Sequence, residues 1–408
     1  MLDIIQVNCS ELKPGMYVSG LDRPWLEVPF PVQGFRIETA EDVLRIQKYC
    51  QYVYVDSTKS VLSSGITHKA PSRPRRTKEQ IFEGRKLKVY ADSTTWTEEF
   101  PRAKAAVETL TGAVDSIFEQ AVRGSVLDVV KVKQSVDPMI DSISRNPDAC
   151  IWLARLKQQD TYTYQHSVGA AIWAVALGRQ LGLPRPDLRS LAIGGLLFDI
   201  GKLRLNPELL GTPRSLTDAE FGELRGHVGL GVDMIRDSGL MNKDVLDMVA
   251  HHHERHDGSG YPNGLSGDAI PVFARIAAIV DCYDAITSHR SYSRAIPPSA
   301  AIKKLYEWRD LEFQGELVEE FIQAVGIYPA GTLVELSSGE VAVVVAEYRT
   351  RRLRPKVMVL LDANKEACLK VRMIDLMSEK TTADGRPLEI TNSLEPEAYG
   401  IDMAAIRL

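Results

Sequence analysis

Fourteen residues, Val249 to Pro262, constrain this chain more than any others: VAHHHERHDGSGYP. They hold three consecutive histidines, Glu254, a fourth histidine at His256, and a glycine-rich turn ending in Tyr261-Pro262. Half of the eight histidines in 408 residues fall here, which random placement would rarely give. Neutral imidazole is the commonest metal ligand in proteins. On a helix, adjacent side chains point about 100° apart. His252 and His253 can therefore both bind metal only near a helix end, or by serving two different ions. A polar helix terminus with surface histidines is the competing reading, and the rest of the chain argues against it.

The length is sufficient for two or three domains with real cores. With 44% apolar and 25% charged residues, the composition is that of a soluble globular protein. The formal net charge of −5 argues against a nucleic-acid polymer as partner, because such proteins carry an excess of Lys and Arg. Cys9, Cys50, Cys150, Cys282 and Cys368 show no paired spacing, so they read as reduced thiols, not as a disulfide framework or a zinc knuckle. No apolar run approaches the ~18 residues of a membrane span, and the N-terminus lacks a signal-peptide pattern. A cytoplasmic location is expected.

Residues 1–63 read as a small α+β module. GMYVSGL (Gly15–Leu21) and YVYVD (Tyr52–Asp56) carry the β-branched and aromatic residues of strands. Between them, TAEDVLRIQKYC starts at Thr39, a candidate N-cap, with Val43, Ile46 and Cys50 near helical spacing. Residues 64–102 read as a linker, since HKAPSRPRRTKE (His68–Glu79) holds five Lys/Arg and two Pro. Residues 103–150 read as a helical connector, with Val107, Leu110, Val114, Ile117 and Ala121 spaced by threes and fours. The helical pattern runs on through 151–325. Its joins are Pro213, the capping box Thr217-x-x-Glu220, Gly239, the GSGYP turn and Pro297-Pro298. After Tyr328-Pro329 the period becomes that of strands in VAVVVAEY (Val341–Tyr348) and KVMVLLD (Lys356–Asp362), with Ser337-Ser338-Gly339 as a turn before the first. Residues 326–408 are thus expected to form a β appendage whose last thirty residues are loosely structured. The fold class expected is mainly α.

Other candidate ligands lie in this helical region. His166 sits in TYTYQHSVGA at the start of an expected amphipathic helix, and Asp199 lies in LLFDIGK with Lys202 close to the same face. His227 follows the capping box, and Asp281 and Asp284 lie in RIAAIVDCYDAITSHRSY. A carboxylate in so apolar a stretch must be paired, because burying it bare costs several kcal/mol. A metal ion is one such partner. Each residue alone also suits a capped or salt-bridged core group, but the series on successive helices favours a metal centre.

His166, Asp199 with Gly201-Lys202, His227, His252-His253-Glu254, Asp257-Gly258-x-Gly260-Tyr261-Pro262, and Asp281 with Asp284 and Arg290 together resemble the HD-GYP phosphodiesterases. These bacterial enzymes open cyclic di-GMP and are a specialised branch of the HD metallohydrolases. The likeness covers roughly 150–325. The first sixty residues, with their PWLEVPFPVQGF stretch, look like an uncharacterised module often fused upstream, and 326 to about 380 is similar to a β tail that follows some members. The resemblance implies a helical bundle with a two- or three-metal centre. In it Asp199 would bridge, His166 and Asp281 would complete one site, and His227, His252 and His253 would serve the other. Iron or manganese best suits such nitrogen and carboxylate donors. Lys202 would offset phosphate charge and Arg290 would grip a second phosphate. Tyr261 and Asp284 would face the substrate. Diguanylate cyclase (GGDEF) proteins are implied partners of the GYP turn, and a homodimer is compatible with the pattern.

The sequence departs from the family at its eponymous doublet, where Phe198-Asp199 stands for His-Asp, and a phenyl ring cannot coordinate a metal. Tyr162 occupies a position where three-metal members carry glutamate, so a third ion is not expected. His251 and His256 are additional to the usual pattern. Two readings follow: a phosphodiesterase attenuated by the missing ligand, or a catalytically silent cyclic di-GMP receptor or cyclase scaffold.

Overall fold

The computed structural model describes residues 4–21, 34–56, 60, 75–155, 162–212, 214, 216–288, 295–349, 351–382 and 384–402, with backbone alone for 4–6, 162–165 and 369–371. They form two compact units. One is Met1–Arg75 with Thr212–Phe221; the other is Arg76–Gly211 with Gly222–Leu408. The chain is mainly α, and the strands among the described residues lie toward its two ends.

In the first unit, β1 (Ile4–Asn8), β2 (Tyr17–Leu21), β3 (Phe35–Arg36) and β4 (Tyr52–Asp56) make an antiparallel sheet in the order β1-β4-β2-β3. Between β3 and β4 runs α1 (Ala40–Tyr49). Thr39 caps it as expected: its hydroxyl accepts from Asp42 N at 3.2 Å, and the Asp42 carboxylate accepts from Thr39 N at 2.9 Å. Most of PWLEVPFPVQGF, and residues 68–74 of the basic stretch, lie outside the described residues.

The second unit is built from α2 (Lys78–Ile81), α3 (Trp96–Val122), α4 (Val129–Arg145), α5 (Pro147–Arg155), α6 (Tyr162–Leu181), α7 (Arg185–Leu197) and α8 (Pro207–Leu210). After α9 (Asp218–Arg225), whose first half belongs to the other unit, come α10 (His227–Asp237), α11 (Lys243–His251), α12 (Val272–Thr287), α13 (Pro298–Glu307) and α14 (Gly315–Val325). One continuous hydrophobic core runs from Phe82 through α3 to α7 and α10 to α14. Strands β5 (Leu333–Leu336), β6 (Val341–Ala346), β7 (Lys356–Leu361), β8 (Ala367–Asp375) and β9 (Ile390–Ser393) follow as an antiparallel sheet in the order β8-β7-β6-β5-β9.

Three expectations need correction. The stretch 64–102 is not linker throughout. Thr77 and Thr95 start helices with capping boxes, and Phe82 and Trp96 are buried in the core. Arg85 reaches both Asp187 at α7 and Asp244 at α11, so the charged residues that suggest solvent in fact strap helices together. Helix α6 is not amphipathic. Apart from Gln180, every described side chain in it is buried, because neighbouring helices cover it on all sides. The chain's end is also less loose than expected, since Val334 and Glu335 of β5 pair with Ser393 and Asn392 of β9.

Candidate metal centre

Backbone packing brings the donors together. Helix α7 is buried from Ser190 to its end and delivers Phe198-Asp199 into a 3-10 turn, Ile200–Arg204. A Cβ at Gly201 would overlap His227 O and Gly231 N, so only glycine lets this turn lie against the start of α10. That contact sets Asp199 beside His227. Helix α11 ends at His251, and His252 is its C-cap, with its N–H on Met248 O at 3.1 Å. Both His252 and His253 are therefore at a helix end, and both turn to the same site.

Two groups of potential ligands result, and they share one carboxylate. Asp199, His227, His252 and His253 form an imidazole-rich group; His166, Asp199 and Asp281 form a carboxylate-rich one, with donor atoms in each within 4.8 Å of one another. Asp199 Oδ1 lies 3.3 Å from His227 Nε2 and 3.5 Å from His252 Nε2, and those two nitrogens are 3.4 Å apart. Donors of one tetrahedral ion held at about 2.1 Å are about 3.4 Å apart, so the triangle has the size of a coordination face. His166 Nε2 lies 3.4 Å from Asp199 Oδ2 and 3.2 Å from Asp281 Oδ1.

Hydrogen bonds on the far side of each ring fix the tautomers. His227 Nδ1 is 2.6 Å from Leu224 O, and His252 Nδ1 is 3.0 Å from Val249 O. A carbonyl only accepts, so Nδ1 carries the proton and the inward Nε2 lone pair is bare. Two bare nitrogens and buried Asp199 Oδ1, which has no aligned hydrogen-bond partner among the described residues, face one another. Such an electron-rich cluster calls for a cation, and the donor set fits a divalent metal.

The charges agree. Burial holds the His227 imidazole below its usual range and His253 well below, the latter helped by His252 and His227, so both stay neutral. Burial opposes charge on Asp199, but Lys202 and the three histidines His166, His227 and His252 hold its carboxyl well below the ordinary value. Burial likewise opposes charge on His166, but Asp199, Asp281 and Asp284 outweigh it and raise its pKa to about 10 in the metal-free chain.

The GYP turn supports the histidines. Tyr261 stacks on His253 with centroids 4.5 Å apart, and Arg225 lies 4.7 Å over the Tyr261 ring. A Cβ at Gly260 would overlap His253 O and Arg255 N, so the turn packs backbone on backbone. The buried Glu254 carboxylate accepts from Asn263 N at 2.8 Å and Leu265 N at 2.9 Å, tying the loop to the histidine run. Phe198 is fully buried between the two ligand groups, stacked on His252 at 4.9 Å and edge-on to His166 at 5.6 Å. Neither His251 nor His256 belongs to either group among the described residues.

Lys202 Nζ is 2.5 Å from Asp199 Oδ2. Asp284, expected to face the substrate, does not: it is 1% exposed, and its oxygens meet His166 Nδ1 at 2.7 Å and Trp173 Nε1 at 3.0 Å. It fixes the His166 ring. Trp173 was not foreseen, although it follows His166 by two helical turns and so shares its face, where a buried indole N–H demands an acceptor. Arg290 lies outside the described residues, as does the side chain of Tyr162.

Residues 139–317 match the HD domain family, residues 4–132 a domain of unknown function (DUF3391), and residues 333–390 a KOW domain associated with the HD domain. The chain is 34% identical over 384 residues to the cyclic di-GMP phosphodiesterase PA4108 of Pseudomonas aeruginosa, a match that covers 91% of this chain and 88% of that protein. It is 37% identical over 150 residues to the cyclic di-GMP phosphodiesterase response regulator RpfG of Xanthomonas campestris, covering 36% and 39% respectively. A solved structure, the HDG"Y"P protein Bd1817 of Bdellovibrio bacteriovorus, covers 78% of this chain and 98% of that one at 17% identity, with a TM-score of 0.46.

Proposed function

We propose that this chain, which belongs to the HD-domain family of cyclic di-GMP phosphodiesterases, hydrolyses a phosphodiester bond of cyclic di-GMP at a centre of two divalent ions, iron or manganese. The observation that carries the reading is the pair of donor groups hinged on Asp199, with imidazole tautomers already set for coordination. His227, His252 and His253 would hold one ion, His166 and Asp281 the other, and Asp199 would offer an oxygen to each. When bound, such ions polarise a phosphoryl oxygen and acidify a water for in-line attack.

The chain's own residues do the rest. Asp284 keeps the lone pair of His166 Nε2 aimed inward by accepting the Nδ1 proton. Lys202, 23% exposed at its side chain, is placed to leave Asp199 for an incoming phosphate and offset its charge. Arg290 takes a second phosphate through its planar fork. Tyr261 walls the site beside His253 and keeps that ring in plane. The setting is cytoplasmic, in keeping with five free cysteines.

One observation favours a second reading. Phe198 fills a ligand position of the doublet, while Pro262, Asn263 and Gly264 of the turn are exposed. A silent receptor for cyclic di-GMP, or a scaffold for diguanylate cyclases, would keep just such a surface. Turnover of cyclic di-GMP by the metal-loaded full chain separates the two. Release of a linear dinucleotide or GMP supports the hydrolase, whereas binding without cleavage at full metal content supports the receptor.

A further inference from the structure

We propose that the two halves of the centre hold metal with very different strength. The imidazole-rich group keeps its ion, and the carboxylate-rich group binds a second, exchangeable one whose occupancy follows the free concentration of a hard cation such as Mn2+ or Mg2+. This rests on the metal-dependent reading above and adds to it an order of loading.

Ligand number is the first reason. The group of Asp199, His227, His252 and His253 offers four donors, whereas His166, Asp199 and Asp281 offer three. Phe198 lies between the groups, packed on rings from both, and gives neither a lone pair. Its burial leaves a hydrocarbon wall where another ligand, or a water standing in for one, would have to sit.

The second reason lies in the shared carboxylate, whose two oxygens are not equivalent. Among the described residues, Oδ1 pairs with His227 and His252, at 3.3 and 3.5 Å. Oδ2, which faces His166, is also 2.5 Å from the Lys202 ammonium. An ion entering the carboxylate-rich group must therefore displace a cation from its shared oxygen, or accept that charge as a close neighbour. Among the described residues, the imidazole-rich group meets no such competitor on Oδ1.

Donor chemistry gives the third reason and names the ion. Three imidazoles and one carboxylate suit iron, zinc and similar metals, while one imidazole with two carboxylates suits manganese and magnesium, which are held more weakly. Loss of a partner that merely supports a ligand lowers affinity about 10–100-fold, so a missing ligand together with a competing ammonium should separate the two sites by about 100-fold or more.

The test is a titration of the chelator-stripped full chain with MnCl2 under anaerobic conditions, followed by calorimetry and by electron paramagnetic resonance of free Mn2+. Two resolved binding steps about 100-fold or more apart are expected, with the weaker ion lost on desalting. Asp281→Asn should remove only the weak step. Phe198→His should tighten it by adding a ligand, and Lys202→Met should tighten it by removing the competitor. Circular dichroism establishes that each variant is folded. Two ions of equal affinity in the wild-type chain would overturn the inference, as would a Lys202→Met variant that binds the second ion more weakly. Unequal binding without any turnover would leave the inference standing and remove the hydrolase reading. Absence of metal binding would remove both.

Discussion

Replacing Asp284 by asparagine changes a charge and almost no volume, and its effect follows from two hydrogen bonds. Asp284 accepts from Trp173 Nε1 at 3.0 Å and from His166 Nδ1 at 2.7 Å. The indole can only donate, so an asparagine must present its oxygen to Trp173 and its NH2 to His166. His166 Nδ1 must then accept, which moves the ring proton to Nε2, the atom facing Asp199 and Asp281. A protonated Nε2 cannot coordinate. The expected loss is about 10–100-fold in affinity for the ion held there, or about 1.4–2.7 kcal/mol. Calorimetric Mn2+ titration measures it, and 15N chemical shifts of His166 report the tautomer. The metal-free chain adds a pH signature. His166 has its pKa raised from 6.5 to about 10, so its stabilising contribution is complete below pH 6.5 and is lost as pH rises through about 10. Asp284→Asn should therefore lower the metal-free melting temperature most below pH 6.5 and least near pH 10. Unchanged affinity for the weaker ion, with His166 protonated on Nδ1, would refute the reasoning.

Further outcomes are expected elsewhere. Gly260→Ala forces a methyl into the backbone of the histidine turn, so it should destabilise the chain by about 1–3 kcal/mol in chemical denaturation and loosen the ion held by His253. Arg290→Ala should weaken cyclic di-GMP binding by about 1.5–3 kcal/mol in calorimetry while leaving metal content unchanged. Burial, opposed by Arg352 and aided by Asp148, pushes the Glu347 carboxyl up to about 8 from its ordinary 4.5. The folded chain thus keeps a proton the unfolded chain releases, stability falls as pH rises between those values, and Glu347→Gln should flatten that fall in thermal melts.

Donors were legible in the sequence wherever chemistry made them conspicuous: imidazoles in a row, or carboxylates such as Asp281 inside an apolar helix. Their grouping was legible only through resemblance, because it depends on backbone contacts such as Gly201 against His227. Asp284 shows the limit most clearly. It shares a helix face with Asp281, and nothing in spacing separates a ligand from the residue that orients one. Trp173 held the missing signal, since its buried N–H needs an acceptor. The segment from Arg76 to Asp92 was read as linker because its charges suggest water. Their partners are far away in sequence, as with Lys78 and Glu320 or Arg179 and Asp92, and periodicity carries no record of them.

Hydrolysis of cyclic di-GMP, as proposed, needs a loaded metal centre hinged on Asp199. Its most direct test is metal content of the anaerobically purified full chain, read beside turnover of cyclic di-GMP as Mn2+ is added. Close to two ions per chain are expected at saturation, with turnover that rises as the second ion binds and loss of both ion bridging and turnover in Asp199→Asn. A fully loaded, folded chain that binds cyclic di-GMP and leaves it intact would contradict the proposal.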